Sequence, residues 1–146
     1  MTGQWSEYPI EIVWEGGKRY RGGKPGGPAI IVDGDRQLGP SPVEALVVAI
    51  GSCSAIDVVE ILEKRRTPAH RMEVTVEFAR AESPPRRLTA AKVRFHVVTS
   101  SDVSHVERAA TLSFEKYCSV SNSLAPDLEL TWEVEVEHEE APAAQP

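Results

Sequence analysis

The stretch that decides the fold runs from Ser41 to Arg66, SPVEALVVAIGSCSAIDVVEILEKRR. It opens on a capping box: Ser41 as N-cap, Pro42 as the first helical residue, Glu44 three positions after the cap. It stops near Arg66, because Pro68 cannot continue a helix and disfavours the helical region at Thr67. From Pro42 to Arg65 such a helix is about 36 Å long. Lys64, Arg65 and Arg66 gather at its C-terminal end, where the helix dipole favours cations. Residues 45–50 are apolar all round, so that half is expected to be buried on every side. The second half is amphipathic, with Ile56, Val59, Ile61 and Leu62 against Glu60, Glu63 and Lys64. One sheet face in 146 residues offers too little to cover this helix, so a second subunit is expected to help bury it.

Upstream, residues 10–15 (IEIVWE) are β-branched and aromatic and predict a strand. KRYR, bracketed by Gly16-Gly17 and Gly22-Gly23, and then Ala29 to Val32, extend this into a meander of short strands. These glycines form no phosphate-binding loop, since no G-x-x-x-x-G-K-[ST] is present. Downstream, Met72, Val74, Val76 and Phe78 alternate with Glu73, Thr75 and Glu77. Val93, Phe95 and Val97 alternate with Lys92, Arg94 and His96. Both runs have period two and one wet face, and Ser83 to Arg87 joins them as a hairpin. One wet face is acidic and the other basic, which suits cross-strand pairing.

A second helix is expected from about Ser101 to Ser104 onward, with Ser104-His105-Val106-Glu107 as its capping box. Cys118 falls at its end or just inside a further helical turn. The last strand is the cleanest: Leu128, Leu130, Trp132, Val134 and Val136 share one face, and Glu129, Thr131, Glu133, Glu135 and Glu137 the other. The order is βββ-α-ββ-α-β, an α+β class, in a single domain over residues 1–140. Residues 141–146 are expected to be a disordered tail.

Sixteen Lys and Arg against 22 Asp and Glu give a net charge of −6. That balance speaks against a nucleic-acid partner. Its source is local. Asp127 to Glu140 holds seven acids and no Lys or Arg, and removing those seven turns −6 into +1. The acidity thus belongs to the wet face of the last strand and the tail, for which Lys92, Arg94 and His96 are a plausible neighbouring row. The N-terminus shows no basic segment followed by an apolar run, so no signal peptide is read. The strongly apolar stretch at 45–50 is too short to span a bilayer. A cytoplasmic protein with no membrane partner is the expectation.

Two cysteines, Cys53 and Cys118, cannot make a disulfide-dense scaffold or a four-thiolate zinc site. One reading packs both in the core, where cysteine is commonly found. The other makes them a reactive pair, in which Cys53 attacks a peroxide oxygen, becomes a sulfenic acid and condenses with Cys118. Cys53 lies 12 residues past the N-cap, beyond the reach of the helix dipole. Asp57, one turn on, opposes a thiolate there. A cation is therefore expected from elsewhere, with Arg19 and Arg21 as candidates. Glu44 could orient such an arginine, although its capping role explains it without chemistry. The four histidines show no metal-ligand spacing, and no G-x-S-x-G elbow is present.

The segment GPSPVEALVVAIGSCSAIDVVEILEKRR, followed by a hairpin and then EKYCSVSNSL, closely resembles the OsmC/Ohr family of thiol peroxidases. The resemblance runs from about Trp14 to Glu137. It implies an intertwined homodimer, with long central helices wrapped by sheets. It implies reduction of organic hydroperoxides or hydrogen peroxide in oxidative stress defence, with Cys53 as the peroxidatic and Cys118 as the resolving cysteine. No metal or organic cofactor is implied, since sulfur does the redox chemistry. A dithiol or lipoylated protein would supply electrons, and Arg19 or Arg21 would answer to the family's thiolate-stabilising arginine. One departure stands out: the family's glutamate ten residues before the reactive cysteine is replaced by Val43, with Glu44 one position later. That step turns a helical side chain by about 100°. The pattern S-P-x-E with C-S-A-I-D looks more like the OsmC-like branch. A non-enzymatic alternative accompanies it: a dimer that binds a small hydrophobic ligand or senses redox state.

Overall fold

A computed structural model describes residues 3–139. The tail expected at 141–146 lies outside the described residues. In chain order the elements are β1 (Glu11–Trp14), β2 (Arg19–Gly23), β3 (Ala29–Asp33), α1 (Pro42–Lys64), β4 (Ala69–Arg80), β5 (Leu88–Thr99), α2 (Val103–Leu112) and β6 (Glu129–Glu137). This is the α+β order read from the sequence. A π-helical turn, Ser113–Tyr117, and a 3-10 turn, Ser121–Ser123, lie between α2 and β6. The chain divides into two compact units, residues 1–46 and 47–146.

In the first unit β1, β2 and β3 form an antiparallel sheet, with Trp14 opposite Tyr20 and Tyr20 opposite Val32. The β1–β2 turn needs its glycines, since Gly16 and Gly17 have φ of 104° and 56°. After β3 the chain is organised by Asp33, which is buried. Its carboxylate accepts the N–H groups of Asp35 at 2.9 Å, Gln37 at 3.2 Å and Leu38 at 3.1 Å. This Asx-type loop delivers Ser41 to the start of α1. The capping box is present and reciprocal. The Ser41 N–H donates to Glu44 Oε1 at 2.9 Å, and the Glu44 N–H to Ser41 Oγ at 3.2 Å.

α1 ends in a Schellman arrangement: the Thr67 N–H donates to the Leu62 carbonyl at 3.0 Å and the Arg66 N–H to that of Glu63 at 2.9 Å. Arg66 takes the left-handed conformation this requires, at φ 63°. As a whole, α1 is long and apolar enough to cross a membrane, which corrects the inference drawn from residues 45–50 alone. Its packing is that of a core helix: Val47, Ile50, Gly51, Ser54, Val58 and Leu62 form one buried stripe. Gly51 allows close approach to β4, because a methyl group there would sit 3.1 Å from Val76 Cγ2. Burial on every side is not what a single chain provides. Val48 is 60% and Ile56 59% exposed, and Leu46 is 38% exposed.

In the second unit the sheet order is β4-β5-β6. β4 and β5 are the expected hairpin, with Val74 opposite Phe95, Val76 opposite Val93 and Glu77 opposite Lys92. β6 lies against the basic row of β5, as its acidity predicts, and runs parallel to it. A parallel neighbour needs a crossover, and α2 provides it. Arg94 pairs with Glu133 and, at 3.6 Å, with Glu77. The start of α2 differs from expectation. Asp102 is the N-cap residue, and Ser104, inside the helix, donates its hydroxyl to Asp102 Oδ2 at 2.6 Å instead of capping. The core gathers β5 residues Val93, Phe95 and Val97 with α2 residues Val106, Ala109 and Ala110, all buried.

Candidate active site

The second unit brings Cys53 and Cys118 together. Cys53 sits mid-way along α1 and is partly buried, whereas Cys118 is fully buried. Cys118 closes the π-helical turn: its N–H donates to the Ser113 carbonyl, five residues back, at 2.7 Å. The chain then bends through 119–123, and the amides of Val120 and Ser121 turn to the sulfurs, whereas those of Asn122 and Ser123 close the turn on the carbonyls of Cys118 and Val120. The Ser121 N–H donates to Cys118 Sγ at 3.4 Å. The Val120 N–H points to the Cys53 thiol and is the largest influence lowering its pKa. Asn122 fixes this turn, its side-chain amide donating to the carbonyls of Phe114 at 3.2 Å and Cys118 at 2.8 Å.

The two thiols are pushed in opposite directions. The Val120 amide, then hydrogen bonds from the Cys118 thiol and the Ser119 hydroxyl, bring Cys53 below the ordinary value against burial and the Asp57 charge. Burial, above all, holds Cys118 above it, even though the side chain and N–H of Ser121 pull the other way. Hydrogen bonds that favour an anion lower a thiol, and desolvation raises it. The two thiols are therefore unequal: of the pair, Cys53 gives up its proton the more readily and Cys118 the less.

The other expected residues lie in the first unit. On β2, Arg21 pairs with Glu15 at 3.3 Å. Arg19 stands opposite Asp33, and its buried Nε has no hydrogen-bond partner among the described residues. Glu44 does hold an arginine, but this is Arg36, whose Nε donates to Oε1 at 2.7 Å. The Ser41 N–H and then Arg36 keep the Glu44 carboxyl below its ordinary pKa. The donors from 119–121 are the functional groups that sequence reasoning missed. Two are backbone N–H groups, which no residue type announces. Ser113 was missed as well: its hydroxyl donates to Asp57 Oδ2 at 2.7 Å.

A long capped helix carrying one thiol, a buried second thiol on the turn after α2, and a sheet completed by a parallel last strand define a two-thiol α+β protein. Residues 33–140 match the model of the OsmC-like protein family. The chain belongs to that family. It is 39% identical over 128 residues to protein YhfA of Escherichia coli, covering 86% of this chain and 95% of that one. A hypothetical protein from Aquifex aeolicus shares the fold at a TM-score of 0.82 and 29% identity, over 93% of this chain and all of the other. Among more distant structures, the organic hydroperoxide resistance protein OhrB of Bacillus subtilis has the same fold at a TM-score of 0.59 and 14% identity. That likeness covers 89% of this chain and 100% of OhrB.

Proposed function

We propose that the protein is a cytoplasmic thiol peroxidase that reduces organic hydroperoxides or hydrogen peroxide in oxidative stress defence. The observation that supports this best is the opposed pair, a Cys53 thiol lowered by the Val120 amide next to a Cys118 thiol raised by burial. The Cys53 thiolate attacks the terminal peroxide oxygen. The O–O bond breaks, the sulfur becomes a sulfenic acid, and the alcohol or water leaves after taking up a proton. The Cys118 thiol then attacks the Cys53 sulfur, forming the disulfide and releasing water. A dithiol or lipoylated protein reduces the disulfide and is itself oxidised. Arg19 or Arg21 would add positive charge to the thiolate and to the breaking O–O bond.

The reading includes a homodimer. The exposed apolar side chains of α1, Val48 and Ile56 among them, are the surface it would cover. A monomeric mass in light scattering at micromolar protein overturns that part. The peroxidase reading is tested by titrating free thiols after one equivalent of cumene hydroperoxide or hydrogen peroxide, in wild type and Cys53→Ser. Loss of two thiols is expected in the wild type and of none in the variant. A Cys53 that reacts no faster than a free thiol in solution defeats it.

A second reading has one observation in its favour. The first unit holds an open apolar groove of about 700 Å³ lined by Ile10, Ile12, Tyr20, Ile30 and Val32. On this reading the dimer binds a small hydrophobic molecule or uses the thiols only to sense redox state, and fast oxidation without turnover under dithiol reductants would favour the sensor.

A further inference from the structure

Taking the two thiols as the reaction centre, we propose that Asp57 and Ser113 are positioning residues that clamp the Cys118 turn to α1 and fix a carboxylate one turn from Cys53. The observation is a closed ring of bonds. Asp57 follows Cys53 by four residues, one helical turn. Its Oδ2 accepts the Ser113 hydroxyl at 2.7 Å. The carbonyl of the same Ser113 accepts the Cys118 N–H at 2.7 Å. The Cys118 thiol in turn hydrogen-bonds to Cys53. Ser113 is fully buried, and its hydroxyl reaches the half-buried Asp57 carboxylate from the protein side. It is also the first residue of the π-helical turn, a rare geometry that is frequent at functional sites.

The clamp acts on Cys53 in two ways. It holds the turn whose Val120 amide and Ser119 hydroxyl favour the thiolate. It also draws part of the Asp57 charge into the Ser113 hydrogen bond, weakening the repulsion that opposes that thiolate. Among the described residues, the titratable groups with the largest influence on Cys53 are Cys118 on the turn packed against it and Asp57 on its own helix.

Three variants separate these effects. Asp57→Asn keeps an oxygen for Ser113 and removes the charge. Ser113→Ala removes the donor and leaves the charge. Ser113→Thr restores a hydroxyl. Iodoacetamide modification of Cys53, followed by peptide mass as a function of pH, needs no peroxide and therefore stands whether or not the protein turns peroxide over. Near neutral pH, Asp57→Asn should speed it about threefold, Ser113→Ala should slow it about threefold, and Ser113→Thr should return it toward wild type. With diamide as two-electron oxidant, reduced to its hydrazine, Ser113→Ala should close the Cys53–Cys118 disulfide about tenfold more slowly and Asp57→Asn near the wild-type rate. An unchanged or slower alkylation rate in Asp57→Asn, or equal closure rates in all variants, overturns the clamp. If Ser113→Ala does not fold, Asp57→Ala, which removes the acceptor together with the charge, decides: slowed disulfide closure is expected, and closure at the wild-type rate overturns the clamp.

Discussion

The two units are held together by different means. Among the described residues of the first, the buried ones are Asp33 and Ser41, both polar. Each works by collecting hydrogen bonds: Asp33 gathers three loop amides, and Ser41 closes the helix cap. The apolar residues of its sheet, Ile12, Trp14 and Ile30 among them, remain exposed. In the second unit the order is reversed. Val93, Phe95, Val97, Val106 and Phe114 are buried, and the charges form a ladder on the outside of the sheet. One unit is specified by its loops and leaves an apolar face open. The other is specified by its core and carries the thiols. A three-stranded sheet with a bare apolar face is weak on its own, so the first unit is where a partner surface would matter most.

Substitutions at the thiols should break this comparison most visibly. Cys53→Ser is expected to lower peroxide consumption by about a hundredfold or more in a coupled dithiol assay. Cys118→Ser should accept one oxidising equivalent and stall. Wild-type turnover in Cys53→Ser would mean that Cys53 is not the reacting group. Next in size is the core. Phe95→Ala should cost about 3–5 kcal/mol in denaturant unfolding. Ile12→Ala, on the open face, should cost about 1 kcal/mol, and the melting temperature of wild type and variant alike should depend on protein concentration, as it does when a dimer covers such a face. A change within about 0.5 kcal/mol, with no concentration dependence, would show that face to be bare in solution.

The helix cap comes third, because α1 begins in one unit and continues in the other. Ser41→Ala removes the acceptor for the Glu44 N–H and should cost about 1 kcal/mol by thermal unfolding. The smallest effect belongs to the outer ladder. Glu137 and Glu135, 3.0 Å and 3.5 Å from the two His96 ring nitrogens, raise the His96 pKa above its ordinary 6.5. The stabilisation this brings is complete below 6.5 and is lost as pH climbs through the higher folded value. Stability measured from mildly acidic to mildly alkaline pH should show that decline, weakened by salt, and His96→Asn should flatten it. A decline of equal size in His96→Asn would locate the titration elsewhere.

How much could be read in advance differs by element, for physical reasons. α1 was legible to within a residue or two because its signals are local: Ser41 and Glu44 at one end, Pro68 beyond the other. The acidic row of β6 found its basic neighbour because opposite charges on adjacent strands attract over short range. Its direction was not written in that pattern, since a period-two row fits a neighbour running either way. The α2 cap was misread because Ser104 had a better partner, Asp102, than a backbone amide. At the site, both sulfurs were legible and their surroundings were not. A cation was sought for Cys53, whereas the strongest pull comes from the Val120 N–H, a group every residue but proline carries. The Asp57–Ser113 bond joins positions 56 apart in sequence and becomes visible only once α1 and the π-helical turn are packed.

The aromatic stack behind the Cys118 turn has a spectroscopic consequence. Phe114 lies 4.8 Å from Trp132, ring to ring, and its carbonyl is tied through Asn122 to that of Cys118. Trp132 is partly buried, with its indole N–H on Thr111, whereas Trp5 and Trp14 are exposed. One indole of three is therefore tied to the turn that carries Cys118. Oxidation of the thiols is expected to shift the emission of Trp132 and to leave that of the exposed Trp5 and Trp14 in place, a dye-free signal that Cys53→Ser should abolish.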